Sequence, residues 1–127
     1  MLYKALKKEL QTNFPLLEYT SNDKEKLITI QPIHKDIGNI DIQDDIDELS
    51  VFVGNFTHWH AVYYDRESGT QEQINDTVSE VVEFLIDMFN DKIFMYGDAK
   101  TSGGFQYIDD DFSTAESGFV WSGPYSH

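Results

Sequence analysis

The sequence predicts an α+β domain: a mostly antiparallel sheet of about five to seven strands, with an N-terminal helix and one long central helix packed on one face. Three observations predict it. Apolar residues switch along the chain between helical spacing and short β-branched runs. The resulting order is helix, about four strands, helix, then two or three strands, without the strict βαβ alternation of a parallel sheet. A chain of 127 residues with nine Phe, seven Tyr and two Trp can fill one core but not two comfortable ones, so residues 1–127 are expected to form a single domain.

The elements follow in order. Leu2, Leu6, Leu10 and Phe14 lie at i, i+4 spacing with Tyr3 beside them, and Lys4, Lys7 and Lys8 lie off that stripe. This is an amphipathic helix over 2–14, which Pro15 stops by disfavouring helical geometry at Phe14. Residues 19–26 carry turn chemistry without periodicity. Leu27 to Gln31 reads as a short β-branched strand, with Pro32 either ending it or sitting at a sheet edge. From Asp36 to Glu48, six carboxylates fall in thirteen positions, interleaved with Ile37, Ile40, Ile42 and Ile46. Ile40 and Ile42 share one strand face and Asp41 takes the other, which predicts an edge strand blunted by acid and then a loop.

Leu49 to Val53 and Thr57 to Tyr64, joined across Gly54-Asn55, predict an antiparallel hairpin followed by a loop at 65–69. Residues 74–90 give the clearest helix. Ile74, Val78, Val81, Val82, Leu85, Met88 and Phe89 form its apolar face, and Glu80, Glu83 and Asp87 lie opposite. Both Thr70/Gln73 and Thr77/Glu80 have capping-box spacing, so its start is open; the pattern ends at Asn90-Asp91-Lys92. Ile93 to Tyr96 is a continuous apolar run, hence an internal strand. Phe105 to Ile108 is a further strand, Asp109 to Asp111 an acidic turn, and Phe119 to Trp121 a last extended piece before Ser122-Gly123-Pro124.

Composition excludes several function classes. Without cysteine there is no disulfide, thiolate zinc site, iron–sulfur cluster or Cys nucleophile. Lysines interrupt the apolar residues at the N-terminus, so no signal peptide is read there, and no run approaches the ~20 apolar residues of a membrane helix. A cytoplasmic location is expected. No phosphate-binding glycine loop, dinucleotide fingerprint or GxSxG elbow occurs. The formal charge of −14, from 23 acidic and 9 basic residues, repels nucleic acid and anionic membranes and attracts basic surfaces.

Two local features bear on chemistry. His58 and His60 flank Trp59 and point to one face of a strand. Two imidazoles at that spacing can ligate zinc, copper, nickel or iron, with a third ligand from His34, Asp65 or a nearby carboxylate. The same spacing also suits ordinary sheet residues. Acid–base catalysis on a phosphate would need a neighbouring cation; only Lys35 and Arg66 are near in sequence, and the acidic field opposes such a substrate. The second feature is the acid itself, concentrated at Asp41, Asp44, Asp45, Asp47 and Glu48 and again at Asp109, Asp110 and Asp111. Neither cluster has the glycine and terminal glutamate of a calcium loop.

The run from Leu49 into Thr57-His58-Trp59-His60, the helix around Val81-Val82-Glu83-Phe84-Leu85, the strand after it, a glycine-rich turn and Val120-Trp121-Ser122-Gly123-Pro124 together resemble small bacterial proteins of the immunity type. These features span residues 49–124. The resemblance implies a protein that binds and neutralises a cognate polymorphic toxin, often a nuclease, and it carries no established site residue with it.

The expectation is therefore a non-catalytic acidic binding protein that needs no cofactor. Its partner would be a basic protein, held by Asp41, Asp44, Asp45, Asp47 and Glu48 and secondarily by Asp109 to Asp111. The alternative is a metal-binding module or metal-dependent enzyme at His58 and His60. Oligomeric state is left open.

Overall fold

The computed structural model describes residues 2–62, 71–98, 103–114 and 116–125. Five antiparallel strands form the main sheet in sequence order: β1 (Tyr19–Asn22), β2 (Leu27–Ile30), β3 (Ile40–Asp44), β4 (Glu48–Val53) and β5 (Thr57–Val62). Helix α1 (Leu2–Asn13) and helix α2 (Gln71–Phe89) pack on each other and on one face of this sheet. A second, smaller sheet runs β7 (Gly104–Tyr107), β6 (Ile93–Tyr96), β8 (Gly118–Val120), β9 (Gly123–Pro124). The α+β class, the two helices and the antiparallel pairing are as the sequence predicts; the strands divide between two sheets. Among the described residues, no helix is long and apolar enough to cross a membrane.

Alternation fixes which side of the main sheet is core. Ile28 and Ile30 of β2, Ile40 and Ile42 of β3, and Leu49, Val51 and Val53 of β4 all have zero exposure; Ile28, Ile42 and Val51 form one row across the ladder and Ile30, Ile40 and Val53 the next. Opposite them lie Leu2, Leu6 and Leu10 of α1 and Val78, Val81, Leu85 and Met88 of α2, all buried in the same cluster. Burying a side chain of this size contributes about 1.5–3 kcal/mol, and that is the main force holding the layers together.

Two local expectations change. Residues 19–22 are a strand, not a turn: Tyr19 to Asn22 pair with Ile30 to Leu27. They escape a periodicity search because an edge strand buries little, and Thr20, Ser21 and Asn22 are all exposed. The segment Ile40–Asp44 is the central strand, not an edge. Asp41 is tolerated there because the face it occupies is open, so acid at that position reports an uncovered face instead of an edge.

Side chains from the sheet secure α1. Asp44 Oδ2 accepts a hydrogen bond of 2.9 Å from Tyr3 N, so a carboxylate from β3 caps the helix and meets the positive end of its dipole. Asp23, in the β1–β2 turn, accepts from the Tyr3 hydroxyl at 2.5 Å and pairs with Lys7 Nζ at 3.3 Å. The Tyr3 hydroxyl, then Lys7, hold the Asp23 carboxyl below its ordinary range.

At the far end of α2, Lys92 N donates to Asp87 O at 2.9 Å and Asp91 N to Met88 O at 3.1 Å, with Asp91 at φ 59°. This paired closure around a left-handed residue is the Schellman stop, with Asp in the usual glycine position. The start of α2 is at Gln71; Thr77 lies inside the helix, donating back to Gln73 O, and so does not cap it. Thr70, residues 63–64 of the expected hairpin strand and the loop at 65–69 lie outside the described residues.

Along the exposed side of α2, burial raises the Glu80 carboxyl above its ordinary value, with Glu83 adding to the shift. A raised folded pKa means the folded state favours the protonated form. The penalty is fully present above the folded pKa and vanishes below the unfolded one. Glu80→Gln is accordingly expected to be more stable than the parent at pH 7, by less than about 1 kcal/mol because the site is partly solvated. That gain should disappear as pH falls from the folded pKa through about 4.5. Urea titrations at several pH values check it, and a gain that persists in acid would count against the assignment.

Candidate functional site

The sheet face away from the helices carries half-buried and exposed side chains, with Asp41 and Gln43 half-buried and Phe52, His58 and His60 exposed. The register places Asp41, Phe52 and His58 in one cross-strand row and Gln43, Ser50 and His60 in the next, with Glu48 and Val62 beyond. Phe52 is 43% exposed and its ring stacks on His58 at 5.8 Å between centroids. His58 meets His60 edge to face at 5.3 Å. The two histidines thus share one face, as their spacing predicts.

His60 is held by a polar network. Its Nδ1 lies 3.0 Å from Glu48 Oε2 and 3.0 Å from Ser50 Oγ, and Ser50 in turn donates to Asp45 Oδ2. Ser50 is only 2% exposed. The arrangement contains the residue types of a nucleophilic triad but not its geometry. Serine and carboxylate meet the same ring nitrogen, whereas a triad needs them on opposite nitrogens. On the other side of the strand, Trp59 packs on Phe84 at 5.0 Å, and its Nε1 is buried with no hydrogen-bond partner among the described residues. His34, a candidate third ligand, lies by Phe119 and Asp36. Among the described residues, no group of three or more His, Asp or Glu is arranged to hold a metal ion. Asp65 lies outside the described residues.

The acidic residues named from sequence divide by role. Asp41 and Glu48 are on the open face. Asp44 is on the core side at the end of β3, with Oδ2 committed to Tyr3 N and Oδ1 accepting from Ile46 N at 2.8 Å. Asp45 and Asp47 are exposed in the β3–β4 turn. Asp109 to Asp111 form a separate exposed turn after β7, in which Asp109 Oδ1 accepts from Asp111 N at 2.9 Å. The acidic ridge of α2 faces the same strand: burial, then Asp87, Glu83 and Glu80, raise the Tyr107 hydroxyl pKa.

The residue that sequence reasoning passed over is Ile46. It sits at the tip of the β3–β4 hairpin, 82% exposed, at φ 79°. Asp47 N donates to Asp45 O at 3.0 Å around it, and Asp45 N to Glu48 O at 2.9 Å. A hydrogen bond spanning two residues around a central φ near +75° marks the rare, strained γ-turn. For a β-branched residue this conformation is a genuine outlier, costing about 1–2 kcal/mol. A signal was present: Asp44-Asp45-Ile46-Asp47 joins two strands tightly and contains no Gly or Asn to take a left-handed position. Elsewhere, Leu16 at 94% and Ile33 at 70% exposure border a depression reaching Phe89 and Trp121.

No family model, curated protein or solved structure matches this chain.

Proposed function

We propose that this chain is a non-catalytic binding protein that docks a basic protein on its β3–β4 hairpin. In its most concrete form it is an immunity protein occupying the basic cleft of a cognate toxin such as a nuclease. The observation that carries the reading is Ile46: an apolar, β-branched side chain held in solvent at a strained φ of 79° between Asp45 and Asp47. Strain retained where glycine would relieve it is characteristic of sites kept for function at the expense of stability. An exposed apolar tip supplies an anchor that loses its water on docking, and the flanking carboxylates supply complementary charge, which speeds encounter and makes it salt-sensitive. The open sheet face beside it, with Phe52, Asp41 and Glu48, extends the surface.

The test separates stability from binding. Ile46→Gly removes the strain, at a cost of about 0.5–1 kcal/mol in unfolded-chain entropy, so the variant should be as stable as the parent or up to about 1 kcal/mol more so. The same change should weaken retention of the product of the neighbouring gene by roughly 30-fold, the loss of an anchor worth about 2 kcal/mol. Asp47→Lys should weaken it too, most at low salt. Charge reversal at Asp44 is unsuited to the question, because it removes the α1 cap. If no partner is retained at low salt, or if both variants bind as the parent does, the proposal is wrong.

A further inference from the structure

The network around His60 determines which of its nitrogens can do chemistry. Ser50 has one hydroxyl hydrogen and gives it to the Asp45 carboxylate, so toward His60 it can only accept. Glu48 Oε2, 3.0 Å from the same Nδ1, is also an acceptor when ionised. Both contacts are satisfied only if Nδ1 carries the hydrogen. In the neutral ring the lone pair then resides on Nε2, on a side chain 44% exposed. A histidine whose Nδ1–H is fixed by a carboxylate, leaving Nε2 outward, has the arrangement that protein metal ligands adopt.

His58 supplies the second imidazole, and the distance is suitable. With metal–nitrogen bonds of ~2.0 Å and about 1.2 Å from nitrogen to ring centre, two imidazoles on one ion at a tetrahedral angle have centres roughly 5.2 Å apart. The observed separation of His58 and His60 is 5.3 Å. Phe52 stacks against His58 and limits its motion. We propose that His58 and His60 chelate a late first-row divalent cation, with Glu48 as the positioning residue for His60. The remaining coordination positions are open to water or to a group from a bound partner. The 5.3 Å separation is that of a tetrahedral ion such as zinc; Cu2+, the tightest binder in the Irving–Williams order, serves as the spectroscopic probe.

This inference does not rest on the docking proposal: the two surfaces share Asp45, Glu48 and Phe52, but metal binding is read without any partner protein. The experiment is calorimetric titration of tag-free protein with Cu2+, with electron paramagnetic resonance of the loaded protein. The expected result is one ion per chain and hyperfine structure from two imidazole nitrogens. His58→Ala and His60→Ala should each lose at least tenfold in affinity. The double variant, which retains His34 and His127, should lose the site, and its unfolding midpoint should stay near that of the parent because both side chains are exposed. Glu48→Gln should weaken binding about tenfold while leaving two nitrogens on the ion. Equal binding by the double variant, or a single imidazole in the spectrum, overturns the chelate; unchanged affinity in Glu48→Gln overturns the positioning role. Neither outcome alters the Ile46 experiment, so the two proposals fail separately.

Discussion

Replacing Gly54 with alanine should lower the free energy of unfolding by about 3 kcal/mol. Gly54 opens the β4–β5 turn at φ 54°, and a Cβ there would lie 2.0 Å from the carbonyl oxygen of Ile37. That carbonyl cannot step aside freely, because it accepts from Asn55 N at 2.9 Å, while Gly54 N itself donates to Asn39 O at 2.9 Å. Left-handed backbone costs an L-residue about 1–2 kcal/mol. Displacing the carbonyl adds the loss of a hydrogen bond, about 1 kcal/mol, and disturbs Ile37, which is fully buried. Urea denaturation would report the change as a lower midpoint at constant slope. A loss under about 1 kcal/mol would mean that the 37–39 segment yields and does not brace the hairpin.

The second large effect is at Phe94. Its neighbours Ile93 and Met95 belong to the main core, but Phe94 is on the opposite face of β6. It is 1% exposed and meets Phe112 at 5.4 Å, Tyr125 at 5.4 Å and Tyr96 at 5.9 Å. Gly118 is pressed so close that a Cβ there would lie 2.5 Å from the Phe94 ring. The ring is thus the centre of a small aromatic cluster that holds the last strands down. Phe94→Ala should cost about 4 kcal/mol. The loss should be local at first: amides of β8 and β9 should exchange faster by hydrogen exchange while those of β2 to β4 keep their protection. Uniform loss of protection would show instead that the two sheets unfold as one unit.

What could be read from sequence follows from what each residue had to bury. The helices were legible because Leu2, Leu6 and Leu10, and Ile74 through Met88, repeat at helical spacing and all go to one core. The β4–β5 hairpin was legible because two strong strands flank a glycine that takes a left-handed turn. Strand β1 was not, since Thr20, Ser21 and Asn22 bury almost nothing and owe their conformation to pairing with β2. The position of β3 was misjudged because acid on one face of a strand looks the same at an edge as on an uncovered central strand. In the candidate site, the shared face of His58 and His60 follows from strand alternation alone. The Ser50 and Glu48 contacts that orient His60 depend on register between two strands, which no local pattern encodes. Asp44 looked like one more surface carboxylate; its cap on α1 spans 41 positions in sequence.

The two tryptophans sit in different parts of this architecture. Trp59 is on β5 against Phe84, with an indole N–H that finds no partner among the described residues, and Trp121 follows β8 against Phe89. Each is therefore an intrinsic fluorophore for a different region, Trp59 for β5 of the main sheet and Trp121 for the packing of the β8–β9 end onto the main core. Single-tryptophan variants would let stopped-flow emission time the formation of the two sheets separately, and would show whether the aromatic cluster around Phe94 assembles on a finished main sheet or alongside it.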